Sequence, residues 1–297
     1  AMGIEADIVE YGTQSTIDLN ALETALRAHP NDYYKAVLVT HVDTSTSVKN
    51  DIAAVRALLD DLGSNALLAV DCVASLGCDE FKMDAWGADV MVAACQKGLM
   101  VPAGMAFVYF NDKAAERQKQ LPYVSSYWEW GQRANPDILA HYFCGTAPTH
   151  HLYGLRVALD MIRAEGIENI WTRHATLAKA IWAAVACWGA DGPMRMNIQD
   201  TSLRSTAVTA LHMGIPHAKN LRNWTQHSAG LTLGIGLGMS TPEDSKGDGF
   251  FRFGHMGHVN AQMILGMLST VQAGLIANNI PHGTGAIDAA AQVIAGA

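Results

Sequence analysis

The sequence predicts an α/β fold, with a mainly parallel sheet flanked by helices and a smaller C-terminal α/β unit after it. Short apolar runs without polar alternation recur through the first third of the chain, which is the pattern of strands buried on both faces. Helical segments separate them, so consecutive strands need crossovers and pair in parallel. A second group of strands and helices follows residue 190, where we place the boundary between a large unit (1–190) and a small one (191–297).

KAVLVTH (35–41) reads as the first strand, and DIAAVRALLDDLG (51–63) as an amphipathic helix closed by Gly63, a residue suited to the left-handed C-terminal cap. ALLAVDCV (66–73), ADVMVAAC (88–95) and GMAFVYF (104–110) read as further strands of a sheet covered on both faces. Residues 121–148 carry Tyr123, Tyr127, Trp128, Trp130, Tyr142 and Phe143 among Ser, Gly and Pro with no periodicity, and read as a long irregular excursion. Two helices follow, at 149–166 and 168–189. In the first, Leu152, Leu155, Leu159 and Ile162 recur at helical spacing and are expected in the core. Beyond 190, residues 206–213 and 250–256 read as strands, 216–230 as a helix opened by Pro216, and 259–277 and 284–296 as closing helices.

With 297 residues the chain can bury a large core. A formal net charge of −8 argues against a general nucleic-acid binder, which needs a basic face to displace counterions. No apolar stretch reaches the roughly 18 to 20 residues of a membrane span, and Glu5, Asp7 and Glu10 interrupt any leader-like run. The five cysteines (Cys72, Cys78, Cys95, Cys144 and Cys187) show no CxxC or Cys/His metal spacing, so no metal site is expected; they read as reduced thiols of a cytoplasmic protein.

Lys97 draws attention first. It follows a buried strand directly and opens a loop containing Gly98, Pro102 and Gly104, a costly place for an ammonium that is neither paired nor used in chemistry. Asp71 ends the preceding strand. If the two strands are close, both residues reach the carboxyl rim of the sheet, where ligands of open α/β folds bind. A lysine amine and a carboxylate are what pyridoxal 5'-phosphate requires, the one for its aldehyde and the other for its pyridine nitrogen.

Five stretches occur in the order of one family: THVDTSTSVKNDI (40–52), AVDCVASLG (69–77), CQKGLMVPAGMAF (95–107), THHLYGLR (149–156) and FRFGHMG (251–257). Together they resemble the class V, fold type I aminotransferases that use pyridoxal phosphate, and the serine, alanine and aspartate:glyoxylate aminotransferases most closely. The resemblance implies that Lys97 is the Schiff-base lysine and Asp71 the partner of the pyridine nitrogen. It further implies that Val73 packs on the ring, that Gln96 and Thr146 contact the phosphate and that Thr44 lies near the ring hydroxyl. Thr146 would act from the neighbouring subunit of a homodimer with a shared active site. Arg252 matches the arginine that pairs with the substrate carboxylate, a task suited to its planar fork of donors.

Transamination between a small amino acid and glyoxylate, or a similar 2-oxo acid, is therefore the expected activity. Pyridoxamine:pyruvate aminotransferase is the alternative within the family, weakened because residues 239–251 contain no arginine of the kind it uses. Gln96 argues against the cysteine desulfurases, which carry a histidine there, and Phe143 stands where the family has a tyrosine. The family's glycine-containing phosphate loop and stacking aromatic are not found before the first strand. The chain is thus expected to be N-terminally incomplete, which leaves a truncated, non-catalytic scaffold as a further alternative. The glycines of LGIGLG (233–238) suggest a dinucleotide-binding oxidoreductase only faintly, because no strand-turn-helix unit surrounds them.

Overall fold

A computed structural model describes residues 4–297. The first sheet has the order β1 (Ala36–Thr40), β2 (Leu67–Asp71), β3 (Val90–Ala94), β4 (Ala106–Phe110); its first three strands are parallel, and β4 runs antiparallel to β3. Helix α1 (Leu19–Arg27) precedes β1, and its N-terminus is capped by Asp18, whose carboxylate accepts the Asn20 and Ala21 amides. Helix α2 (Ile52–Asp61) crosses from β1 to β2. Asp51 caps it through the Ala54 amide, and Ile52, Val55 and Leu59 recur at helical spacing to face the sheet, fully buried. Each such residue contributes roughly 1.5–3 kcal/mol by leaving water. The polar helix α3 (Asp112–Lys119) follows β4 and buries only Ala114.

Residues 121–148 contain two single turns, α4 (Gly131–Ala134) and α5 (Leu139–Tyr142), neither with a buried residue. Helix α6 (Thr149–Glu165) then meets α7 (Ile167–Ala190) across Gly166. The expectation that α6 carries an ordinary core stripe is corrected here. Ala158 is its only buried residue, Leu152, Leu155 and Ile162 are half-covered, and Leu159 is exposed. The reason is placement: α6 lies over the loop after β3, with Ala158 against Cys95 and Val101 instead of inside a closed core.

The second sheet is antiparallel throughout, in the order β5 (Arg195–Met196), β6 (Val208–His212), β8 (Phe250–Gly254), β7 (Gly234–Ile235). Helices α8 (His217–Ala229), α9 (Ala261–Ala277) and α10 (Ala286–Ala295) pack with α7 around Trp188, Leu211, Leu221, Phe251 and Phe253, all fully buried. LGIGLG supplies the short edge strand β7 and runs on into a turn, which removes the helix a dinucleotide site would need. The first sheet is less enclosed than expected. Leu38 on β1 is 79% exposed, and Val108 and Tyr109 on β4 are also exposed, so coverage on both faces fails at the sheet's two outer strands.

Candidate active site

Parallel pairing sets three strand ends side by side. Thr40 of β1 lies opposite Asp71 of β2, and Asp71 lies opposite Val92 of β3. Pairing persists past the strands, with His41 donating to the Asp71 carbonyl at 2.9 Å and Cys72 to the Val92 carbonyl at 2.8 Å. The loops bearing Thr44, Asp71 with Val73, and Gln96 with Lys97 therefore all leave from one rim.

Asp71 is exposed and accepts the Val73 amide on Oδ1 at 2.8 Å; its other oxygen has no protein donor among the described residues. Lys97 is half-buried, and among the described residues it takes part in no ion pair. The loop that carries it is closed on itself. Val101 donates to the Cys95 carbonyl at 3.0 Å, and the buried Cys95 thiol donates to the Pro102 carbonyl at 3.0 Å and accepts the Met105 amide at 3.3 Å. Gly98 is required by close approach, since a Cβ there would lie 2.1 Å from the Leu76 carbonyl oxygen. The loop after Asp71 and the loop after Lys97 thus pack backbone on backbone.

Arg252 comes from the second sheet, in the middle of β8. Its Nε donates to the Ile235 carbonyl at 2.9 Å and its Nη1 to the Thr44 carbonyl at 2.8 Å. Burial lowers its pKa from the ordinary value, opposed by the nearby Asp43 carboxylate. The Thr44 loop is folded around Asp43, which accepts the Ser45 amide at 2.8 Å and the Thr46 hydroxyl at 2.7 Å. It is then fastened to β6: buried Ser47 (φ 64°) accepts the Ser205 amide on its carbonyl at 3.0 Å and the Ala210 amide on its hydroxyl at 3.2 Å. Beside it, buried Asp79 accepts the Ser205 hydroxyl at 2.6 Å and both the amide and the hydroxyl of Thr206 at 2.9 Å.

Of the residues singled out from sequence, Asp71, Val73, Gln96 and Lys97 share the rim, and Arg252 meets the Thr44 backbone across the seam between the sheets. Gln96 is exposed. Thr146 lies in the exposed stretch before α6 and makes no hydrogen bond to the rim loops. Sequence reasoning missed Ser47 and Asp79. Nothing local marks either of them, because their partners lie more than a hundred residues away in the chain. A cavity of about 320 Å³ is lined by Pro30, Tyr34 and Ser64 at the opposite end of the strands, so the rim is singled out by its chemistry and not by its hollow.

The aminotransferase class-V family model matches residues 1–224. The chain belongs to this family. It is 36% identical over 275 residues to the serine-glyoxylate aminotransferase of Arabidopsis thaliana, covering 91% of this chain and 65% of that protein. It is 31% identical over 293 residues to the L-aspartate-glyoxylate aminotransferase of Paracoccus denitrificans, covering 98% and 71%. Its fold is that of the fold type I aminotransferases. The crystal structure of ureidoglycine-glyoxylate aminotransferase from Bacillus subtilis superposes with a TM-score of 0.82 at 25% identity, over 96% of this chain and 71% of that one. The chain thus spans about two thirds of the length of the relatives it matches. Among the described residues, no helix is long and apolar enough to cross a membrane.

Proposed function

We propose that this chain carries out pyridoxal-phosphate-dependent transamination between serine, alanine or aspartate and glyoxylate or a similar 2-oxo acid. The observation that carries the reading is the placement of Lys97 and Asp71 on neighbouring strand ends, with Arg252 reaching across the seam to the Thr44 loop. The donor set fits the cofactor: among the described residues, Asp71 keeps one carboxylate oxygen without a protein donor, which suits a protonated pyridine nitrogen, and the Lys97 amine is not committed to a carboxylate. Bound there, pyridoxal phosphate supplies an aldehyde for the amino group and a ring that accepts the electron pair left on the substrate carbon.

The chain's own residues do the rest. With the cofactor bound, Lys97 would take the proton from the substrate α-carbon as general base and give it as general acid to the carbon of the former aldehyde, so that no net proton is gained or lost. Asp71 would hold the positive ring nitrogen, Val73 would pack on the ring, and Gln96 and Thr44 would give polar contacts. Arg252 grips the α-carboxylate with the guanidinium hydrogens not donated to Ile235 and Thr44. The division near residue 190 puts Lys97 and Arg252 on different units, so substrate bridges them. Thr146 has no role within its own subunit on this reading; it serves the neighbouring site of a homodimer. We place the protein in the cytoplasm on its thiols alone.

Amino donor and acceptor react in turn at one site, so kinetics are ping-pong. The test is glycine formation from glyoxylate with serine, alanine or aspartate, after saturating the chain with pyridoxal phosphate. Parallel double-reciprocal lines with at least one donor support the reading; no glycine from any of them, with the cofactor shown to be bound, sinks it. Pyridoxamine with pyruvate, run alongside, separates the alternative within the family.

A further inference from the structure

Met100, three residues after Lys97, has φ 61°. Side chains other than glycine are strained there, and such strain persists only where the surroundings over-determine the backbone. Within the loop, the Met100 amide donates to the Lys97 carbonyl at 3.0 Å. The outer restraint is the turn after β8. Gly257 (φ 80°) sits so close that a Cβ on it would lie 3.0 Å from Met100 Cγ and 3.6 Å from the Lys97 carbonyl oxygen.

That turn is held by one side chain from α7. Arg173 Nη1 donates to the Gly257 carbonyl at 3.1 Å and to the Val259 carbonyl at 2.8 Å. Its other edge is paired with Glu165 at the end of α6, Nε to Oε1 at 2.5 Å and Nη2 to Oε2 at 3.1 Å. The Arg173 hydrogen bond holds the Glu165 carboxyl below its ordinary pKa. A void of only about 10 Å³ separates Gly98, Met100, Glu165, Arg173 and Gly257, so the clamp closes directly behind the lysine loop.

We propose that Arg173, braced by Glu165, is a positioning residue that fixes the Lys97 loop through the Gly257 turn. Its bearing on catalysis rests on the reading of Lys97 as the reacting amine, but its action on the loop does not. A lysine cannot replace it fully, because one ammonium cannot present two edges of a planar fork at once.

The test is amide hydrogen exchange on the full chain without cofactor, comparing Arg173→Met, Arg173→Lys and Glu165→Gln with the unaltered protein. Arg156→Met, which removes an exposed ion pair to Asp160 on α6, is the control. We expect the Met100 and Val101 amides to exchange at least tenfold faster in Arg173→Met and to an intermediate degree in Arg173→Lys. Amides in the middle of α7 should stay within twofold, and the control should be unchanged. The rate at which an amine reagent labels Lys97 should shift by at least threefold in the same order. Unchanged exchange at Met100 and Val101 in a folded Arg173→Met chain would overturn the proposal. If that variant does not fold, Glu165→Gln decides in its place, with several-fold faster exchange expected and no change contradicting. Failure of the aminotransferase reading would appear separately, as no cofactor capture by the unaltered chain.

Discussion

The two sheets are built to different standards of enclosure. In the second, β6 buries four of its five residues, and Phe251 and Phe253 of β8 pack with Trp188 into a closed core. In the first, β1 leaves Leu38 in solvent and β4 exposes Val108 and Tyr109. Asp71 nevertheless ends a strand of the open sheet, and Lys97 follows one. The loops beside them are fastened to the enclosed unit, through Arg252 on the Thr44 carbonyl, Ser47 on β6, and Asp79 on Ser205 and Thr206. Rigidity is borrowed across the seam, and the loops at the rim are the route.

Four results would break or sharpen this contrast. Lys97→Ala has the largest expected effect on chemistry: on the proposed function, loss of this amine lowers the rate of glycine formation by about 10²–10⁴ or more, with far-ultraviolet circular dichroism unchanged. Phe251→Ala has the largest expected effect on stability, a loss of about 3–5 kcal/mol in urea unfolding, because a fully buried aromatic leaves a cavity that a closed core cannot fill.

Acid comes next. His41, His174 and His255 are buried, and loss of hydration pushes each from 6.5 to about 4. Between those values the unfolded chain binds protons that the folded chain refuses. Their stabilising contribution is therefore complete above pH 6.5 and declines as pH falls toward 4, so unfolding midpoints measured at intervals over that window should drop steadily. A flat profile would mean that these rings are hydrated or paired. The smallest effect is expected for Leu38→Ala, less than about 0.5 kcal/mol, since its side chain is already in water. A loss of several kcal/mol there would show that another surface covers β1 in solution.

Much of the architecture was legible in the chain itself. The first three strands are apolar runs bounded by polar turns, and α2 shows both its period and its glycine stop. Besides the single turns α4 and α5, two helices carry no clear sequence signal. In α1 the signal is only Asp18 as a cap with Leu22 and Leu26 one turn apart, and α3 has almost no apolar face for a period to show. The α6 stripe misled because periodicity reports that one face is apolar, not that anything covers it. At the site, Asp71, Lys97 and Arg252 announced themselves by residue type and motif. Ser47, Asp79 and Arg173 did not, because their roles are hydrogen bonds to distant backbone that no local pattern encodes.

The central claim is that the rim gathers a working site around Lys97. Its most direct test is to add pyridoxal phosphate to the purified chain, record the visible spectrum, reduce with borohydride and map the labelled peptide. The account predicts a new absorbance band that reduction removes, with the label confined to Lys97 and lost in Lys97→Ala. No band, or label spread across surface lysines, would contradict it.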